Sequence, residues 1–194
     1  MVDSTTVTVL LLGDSGCGKT TFLSRLKAPK PLTENIQELE ISLLKDHDQP
    51  FIYDVRFSKK SFRVEVYDTA SPNQHWSSLR PDLVILAYDI SDRTTLDSLK
   101  GWRSEITRYF QSGSGERIPV MMLGLKRDLR TENDQIIYPQ EACRIAQELH
   151  CDRYAECSAV TGELIAEAFE DIAKMAAMTT IESGAQSEGG CTII

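Results

Sequence analysis

The sequence predicts an α/β fold, a mostly parallel six-stranded sheet with one antiparallel edge strand and helices on both faces. Three observations carry this reading. Strand-like runs alternate with segments of helical period along the chain. Residues 83–88 and 119–125 are almost continuously apolar, as expected of central parallel strands covered on both faces. Between a buried run and a helix start, Gly13-Asp14-Ser15-Gly16-Cys17-Gly18-Lys19-Thr20 fits the phosphate-loop pattern G-x-x-x-x-G-K-[ST] without a mismatch.

The elements follow in order. Residues 6–12 read as a buried strand and 20–26 as the start of a helix, which Pro29 and Pro31 bring to an end. Residues 32–50 lack a firm period and read as a long mobile loop with room for a helical turn. Residues 51–57 and 62–67 form a hairpin around Ser58-Lys59-Lys60-Ser61, and Asp68-Thr69-Ala70-Ser71-Pro72 closes its second strand. Asp82 leads straight into the next strand. Leu96, Leu99, Trp102, Ile106 and Phe110 then recur at spacings of three and four, a stripe that suits core packing rather than a cofactor role. After a loop at 112–115 and the strand at 119–125, Pro139 opens a helix whose apolar face holds Ala142, Ile145, Ala146 and Leu149. A short strand at 154–158 precedes a last helix from about 162 to 178. Residues 1–179 make one domain, and 180–194 a flexible tail.

With 194 residues, 41% of them hydrophobic, the chain suits a single core. A net charge of -8 argues against a nucleic-acid partner, which would call for clustered Lys and Arg. Cys17, Cys143, Cys151, Cys157 and Cys191 are odd in number and lack paired metal spacing, which suits a reducing, cytoplasmic setting. The start of the chain shows no secretory signal, and no segment approaches a membrane span.

Ligands of such sheets sit at the C-terminal strand ends, where Gly13, Asp68, Lys126 and Ser158 all fall. In the phosphate loop, glycines let backbone N–H groups from Ser15 to Thr21 approach a polyphosphate. Lys19 brings a cation, and the Thr20 hydroxyl suits Mg²⁺. Taken alone, Lys126 and Asp128 also fit a solvated loop pair, and Ser158 a helix cap.

Taken together, the phosphate loop, Leu79-Arg80-Pro81, Gly124-Leu125-Lys126-Arg127-Asp128-Leu129-Arg130 and Glu156-Cys157-Ser158-Ala159 resemble a small monomeric GTPase of the Ras superfamily, in Rho-like wording. No insert helix fits between Arg130 and Pro139, and Ser15 is more Rab-like, so the resemblance is to an atypical Rho-related member. It implies the P-loop GTPase fold, GTP and GDP as ligands, Mg²⁺ as cofactor, GTP hydrolysis, and effectors and exchange factors as partners. By the same resemblance Asp128 accepts two N–H bonds from the guanine edge, and Lys126 lays its stem along the ring. The backbone of Ser158 and Ala159 meets the base carbonyl, while Asp68 holds Mg²⁺ through water and Ser71 offers an N–H to the γ-phosphate. Leu125 stands where the family usually has Asn.

The switch regions depart from the family. Thr33, the sole Thr between Thr21 and Thr69, lies too early for the usual first-switch ligand, and no aromatic residue occurs between Phe22 and Phe51 to edge the guanine. Pro72 replaces the Gln that orients water, with Gln74 or His75 as substitutes if the loop re-registers, so slow hydrolysis is expected. The competing reading is a pseudo-GTPase that holds guanine nucleotide constitutively. A P-loop ATPase or nucleotide kinase would share the first motif but not Lys126, Asp128 and Ser158. Cys191-Thr192-Ile193-Ile194 fits the prenylation pattern C-a-a-X, with geranylgeranyl favoured and farnesyl as runner-up. Because residues 181–190 contain no Lys, Arg or second Cys, attachment to the cytoplasmic face of a membrane, first of all the plasma membrane, is expected to be reversible.

Overall fold

Along β1 (Thr5–Leu12), Val7, Val9 and Leu11 face one core while Leu10 and Leu12 face the other, because side chains alternate across a strand. β4 (Leu83–Asp89) and β5 (Val120–Leu125) divide in the same way and are buried along their whole length, which is why both read as apolar runs without alternation. These relations come from a computed structural model that describes residues 5–28, 41–57, 60–69, 79–111, 117–132, 135–181 and 191–193.

With β2 (Phe51–Phe57), β3 (Lys60–Thr69), β6 (Arg153–Glu156) and β7 (Cys191–Ile193), the sheet has the order β6-β5-β4-β1-β3-β2-β7. β1 pairs in parallel with β3 and β4, β4 with β5, and β5 with β6, while β2 runs antiparallel to β3. Helices α1 (Lys19–Lys27) and α4 (Ile165–Ile181) bury Phe22, Leu23, Ala168, Phe169, Ile172 and Ala176 on one face. On the other, α2 (Arg93–Ile106) and α3 (Pro139–Glu148) bury Leu96, Leu99, Ile106, Ala142 and Ala146.

All six expected strands are present, and residues 191–193 add a seventh, antiparallel to β2 with Ile193 opposite Val55. The strand expected at the sheet's edge therefore has a neighbour along Val55–Phe57, where its outward backbone groups would otherwise lack ladder partners. Several boundaries also differ from expectation. β6 ends at Glu156 rather than at residue 158 because Ser158 N–H turns away to donate to the Glu163 carbonyl at 2.9 Å. That turn, closed by Gly162 N–H on the Ser158 carbonyl with Gly162 at φ +80°, also delays the last helix to Ile165. α2 begins at Arg93, where the Asp92 side chain caps it by accepting from Thr94 N–H at 3.0 Å. Within the expected long loop, the described part carries one short 3₁₀ turn, Asp46–Asp48.

Candidate functional site

The phosphate loop links β1 to α1 and closes tightly on the sheet. A Cβ on Gly13 would lie 2.2 Å from the Ala87 carbonyl oxygen of β4, so only glycine fits there. Gly18 caps α1 at φ +105°, turning the chain so that the helix N-terminus faces the loop. Ser15 and Gly16 are exposed and Thr20 and Thr21 half-buried, whereas the Cys17 side chain points inward, its Sγ 3.8 Å from the Ala87 carbonyl. Burial pushes the Cys17 thiol above its ordinary pKa despite the nearby Lys19, so what Cys17 offers a ligand is backbone.

Lys19 is 5% exposed, and its Nζ donates to the Gly13 carbonyl at 2.8 Å and the Asp14 carbonyl at 2.9 Å. Carbonyl dipoles offset only part of the cost of burying an ammonium, and an anion completes the offset. One turn into the helix, the Thr20 hydroxyl donates to Asp68 Oδ2 at 2.6 Å, joining residues 48 apart in the chain. This hydroxyl and carboxylate, predicted to serve Mg²⁺, therefore converge. They are hard oxygen donors and too few for a closed cage, which fits an ion that takes its other ligands from water and phosphate.

Asp68 is held by a residue that sequence reasoning missed. Gln49 donates from Nε2 to the Asp68 carbonyl at 2.9 Å and accepts from Asp68 N–H on Oε1 at 3.0 Å, a two-way amide clamp. Nothing in the sequence marks Gln49, because its partner is set by the register of β2 on β3.

The base-reading candidates meet at the C-terminal ends of β5 and β6. Ser158, fully buried, donates its hydroxyl to Asp128 Oδ1 and accepts from Thr161 N–H at 3.1 Å, so one Asp128 oxygen is fixed. Ala159 is buried beside it. Lys126 takes a left-handed backbone conformation at φ 59°, its stem passes Gly18, and its Nζ pairs with Asp89 Oδ2 at 2.7 Å. Leu125 is 2% exposed and its Cβ also faces Gly18, so packing joins the two loops where the family usually has the polar side chain of Asn.

Beneath these loops lies a second missed group. Glu156 receives both guanidinium branches of Arg130 and the hydroxyl of Tyr154, and Arg127 reaches it at 3.6 Å. Tyr154 meets Tyr88 at 3.2 Å, and burial pushes both phenols well above their ordinary pKa. The network ties the segment carrying Asp128 to the strand that ends just before Ser158. Ser71, Pro72, Gln74 and His75, like Thr33, lie outside the described residues. A cavity of about 1100 Å³, lined by Asp82, Pro119, Arg153 and Met175 among others, opens at the opposite ends of the strands and includes none of the predicted site residues.

The model of the Ras family matches residues 8–178. The Ras-related protein RABG3f of Arabidopsis thaliana is 26% identical over 95% of this chain and 86% of its own length. The GTP-binding protein RHO2 of Saccharomyces cerevisiae is 25% identical over 96% and 95%, respectively. The Rho-related GTP-binding protein RhoF of Homo sapiens is 26% identical over 87% and 81%. Rho-like relatives thus stand beside Rab-like ones at similar identity.

Proposed function

Because the chain belongs to the Ras family of small GTPases, we propose that it is a guanine-nucleotide switch in signalling that hydrolyses GTP slowly and is held reversibly at a membrane through a lipid on Cys191. The observation that carries the nucleotide reading is the buried Lys19 ammonium facing carbonyls at the sheet end that also holds Thr20, Asp68, Asp128 and Ser158. In this reading the N–H groups from Ser15 to Thr21 cradle the phosphates on the positive end of α1. Lys19 neutralises charge on the outer phosphates. Thr20 and Asp68 hold Mg²⁺, which when bound neutralises charge shared by the β- and γ-phosphates. With one oxygen occupied by Ser158, the Asp128 carboxylate is oriented to accept from the guanine ring N–H and exocyclic amine. Adenine presents no such pair of donors, and its binding leaves a carboxylate unsatisfied.

In hydrolysis, water attacks the γ-phosphorus, the bond to the bridging oxygen breaks, and GDP leaves with that electron pair while the proton passes to phosphate. Catalysis rests on positioning, and Pro72 has no group with which to orient water. Loss of that contribution raises the barrier and leaves binding intact. The same substitution, with the lack of any Thr between Thr33 and Thr69, favours the second reading, a pseudo-GTPase that holds nucleotide constitutively.

Single-turnover hydrolysis of preloaded GTP separates the two. The switch reading predicts a measurable rate below the order of 10⁻⁴ s⁻¹ known for Ras. No turnover supports the constitutive binder. An ordinary rate that falls on Gln74→Ala contradicts the deficit and identifies Gln74 as the residue that orients water.

A further inference from the structure

An acidic side chain stands inside a loop built to bind anions, and the structure shows what holds it. Asp14 follows the tight turn at Gly13, and its carbonyl is one of the two that accept from Lys19. Its carboxylate Oδ1 accepts from Trp102 Nε1 at 2.8 Å, a contact between residues 88 apart in the chain. Trp102 lies on α2, which packs against the opposite face of the sheet from α1, and its ring is half-buried beside the α2 core. Residue 102 reads from sequence as one more member of an apolar stripe, yet it directs its single polar atom to the phosphate loop.

We propose that Trp102 is a positioning residue for phosphate binding: its indole N–H holds the Asp14 carboxylate out of the phosphate cradle and fixes the first turn of the loop from α2. The argument is electrostatic. A carboxylate free to rotate within a few ångströms of a polyphosphate repels it and competes with it for the Lys19 ammonium. A neutral donor on a rigid helix answers that carboxylate without adding a cation that would trap it, so Lys19 stays available to the ligand. A hydrogen bond to a charged group is strong enough that its loss shifts an equilibrium constant by roughly tenfold or more. The inference rests on the guanine-nucleotide reading above and deepens it.

The test is stopped-flow dissociation of a fluorescent GDP analogue from the full chain, in the native protein, Trp102→Phe, Asp14→Asn and the double variant, each checked for folding by circular dichroism. Trp102→Phe is expected to release GDP about tenfold faster. Asp14→Asn keeps an oxygen acceptor for the indole and removes the charge, and so serves as the charge-free background against which Trp102→Phe is read. Combined with Asp14→Asn, Trp102→Phe should matter much less, because there is no carboxylate left to swing inward, and the excess rate of the single Trp102→Phe variant should shrink as salt is added. A role in packing alone would give the same increase with Asp14 present or replaced, at every salt concentration, and that result would overturn the proposal. So would a native rate in a folded Trp102→Phe. Should Trp102→Phe not fold, Trp102→Met, which also lacks the indole N–H, replaces it in the native and Asp14→Asn backgrounds, with the same expected and overturning results. If the native protein binds no guanine nucleotide at all, the functional reading fails first, and the proposal with it.

Discussion

Thr20 and Asp68 show how much one residue's environment decides. Neither differs in kind from many surface residues, but β1 pairs with β3 so that Leu12 lies opposite Thr69, and this register brings the end of one strand beside the helix that follows the other. Their 2.6 Å contact then follows from the sheet and needs no local signal. If Thr20 and Asp68 hold Mg²⁺ as proposed, chelation by EDTA should accelerate GDP release from the native protein by about tenfold or more. Thr20→Ala should release GDP quickly with or without EDTA. The measurement is the dissociation rate at matched free Mg²⁺, and equal EDTA sensitivity in both proteins would remove Thr20 from the ion's ligands. Gln49 belongs to the same scale and was not legible in the sequence, since a side-chain amide that clamps a backbone 19 residues away leaves no periodic trace.

At the scale of elements, the two segments proposed to read the base are held from below by charge rather than by apolar packing alone. Glu156 ends β6, and the Arg130 that meets it follows the turn carrying Asp128, so their pairing adds to the 3.1 Å bond from Arg127 N–H to the Cys157 carbonyl in setting the spacing of the two loops. The side chains of Arg130 and Glu156 are 16% and 7% exposed, and at that burial removing Arg130 leaves the Glu156 charge to the more distant Arg127 and the Tyr154 hydroxyl. Arg130→Ala is therefore expected to cost about 3 kcal/mol in urea unfolding, with guanine-nucleotide affinity falling alongside. A loss under about 0.5 kcal/mol would place the pair among ordinary surface contacts. Most elements were legible because their signals are local: the unbroken apolar runs of β4 and β5, the stripe of α2 and Pro139 at the start of α3 all act through short-range pattern. Boundaries near Ser158 were not, since the chain leaves the sheet there to make hydrogen bonds whose partners lie further along the sequence.

For the whole molecule, the sheet order places the phosphate loop on β1 between β3, which carries Asp68, and β4, which backs the loop, with the ends of β5 and β6 beyond β4. That order was anticipated only as a mostly parallel six-stranded sheet with one antiparallel edge strand and helices on both faces. The seventh strand could not be anticipated, because residues 191–193 are too few to carry a strand pattern of their own and pair only because β2 offers an edge. Those residues include the cysteine of the proposed lipid attachment. If the lipid governs location, Cys191→Ser should shift the protein from the membrane to the soluble fraction of cells, and one lipid chain without basic support should leave part of the native protein soluble too. Unchanged fractionation of the variant would refute the lipid's role.

The central claim is that this sheet end reads guanine, and competition binding tests it most directly. A fluorescent GDP analogue bound to the native protein should be displaced by GTP and GDP but not by ATP at roughly a thousandfold excess, since adenine leaves the Asp128 carboxylate unsatisfied. Asp128→Asn should reverse the preference toward xanthine nucleotides, whose ring edge carries an acceptor where guanine carries a donor. ATP competing as well as GTP, or a variant that keeps its guanine preference, would contradict the account.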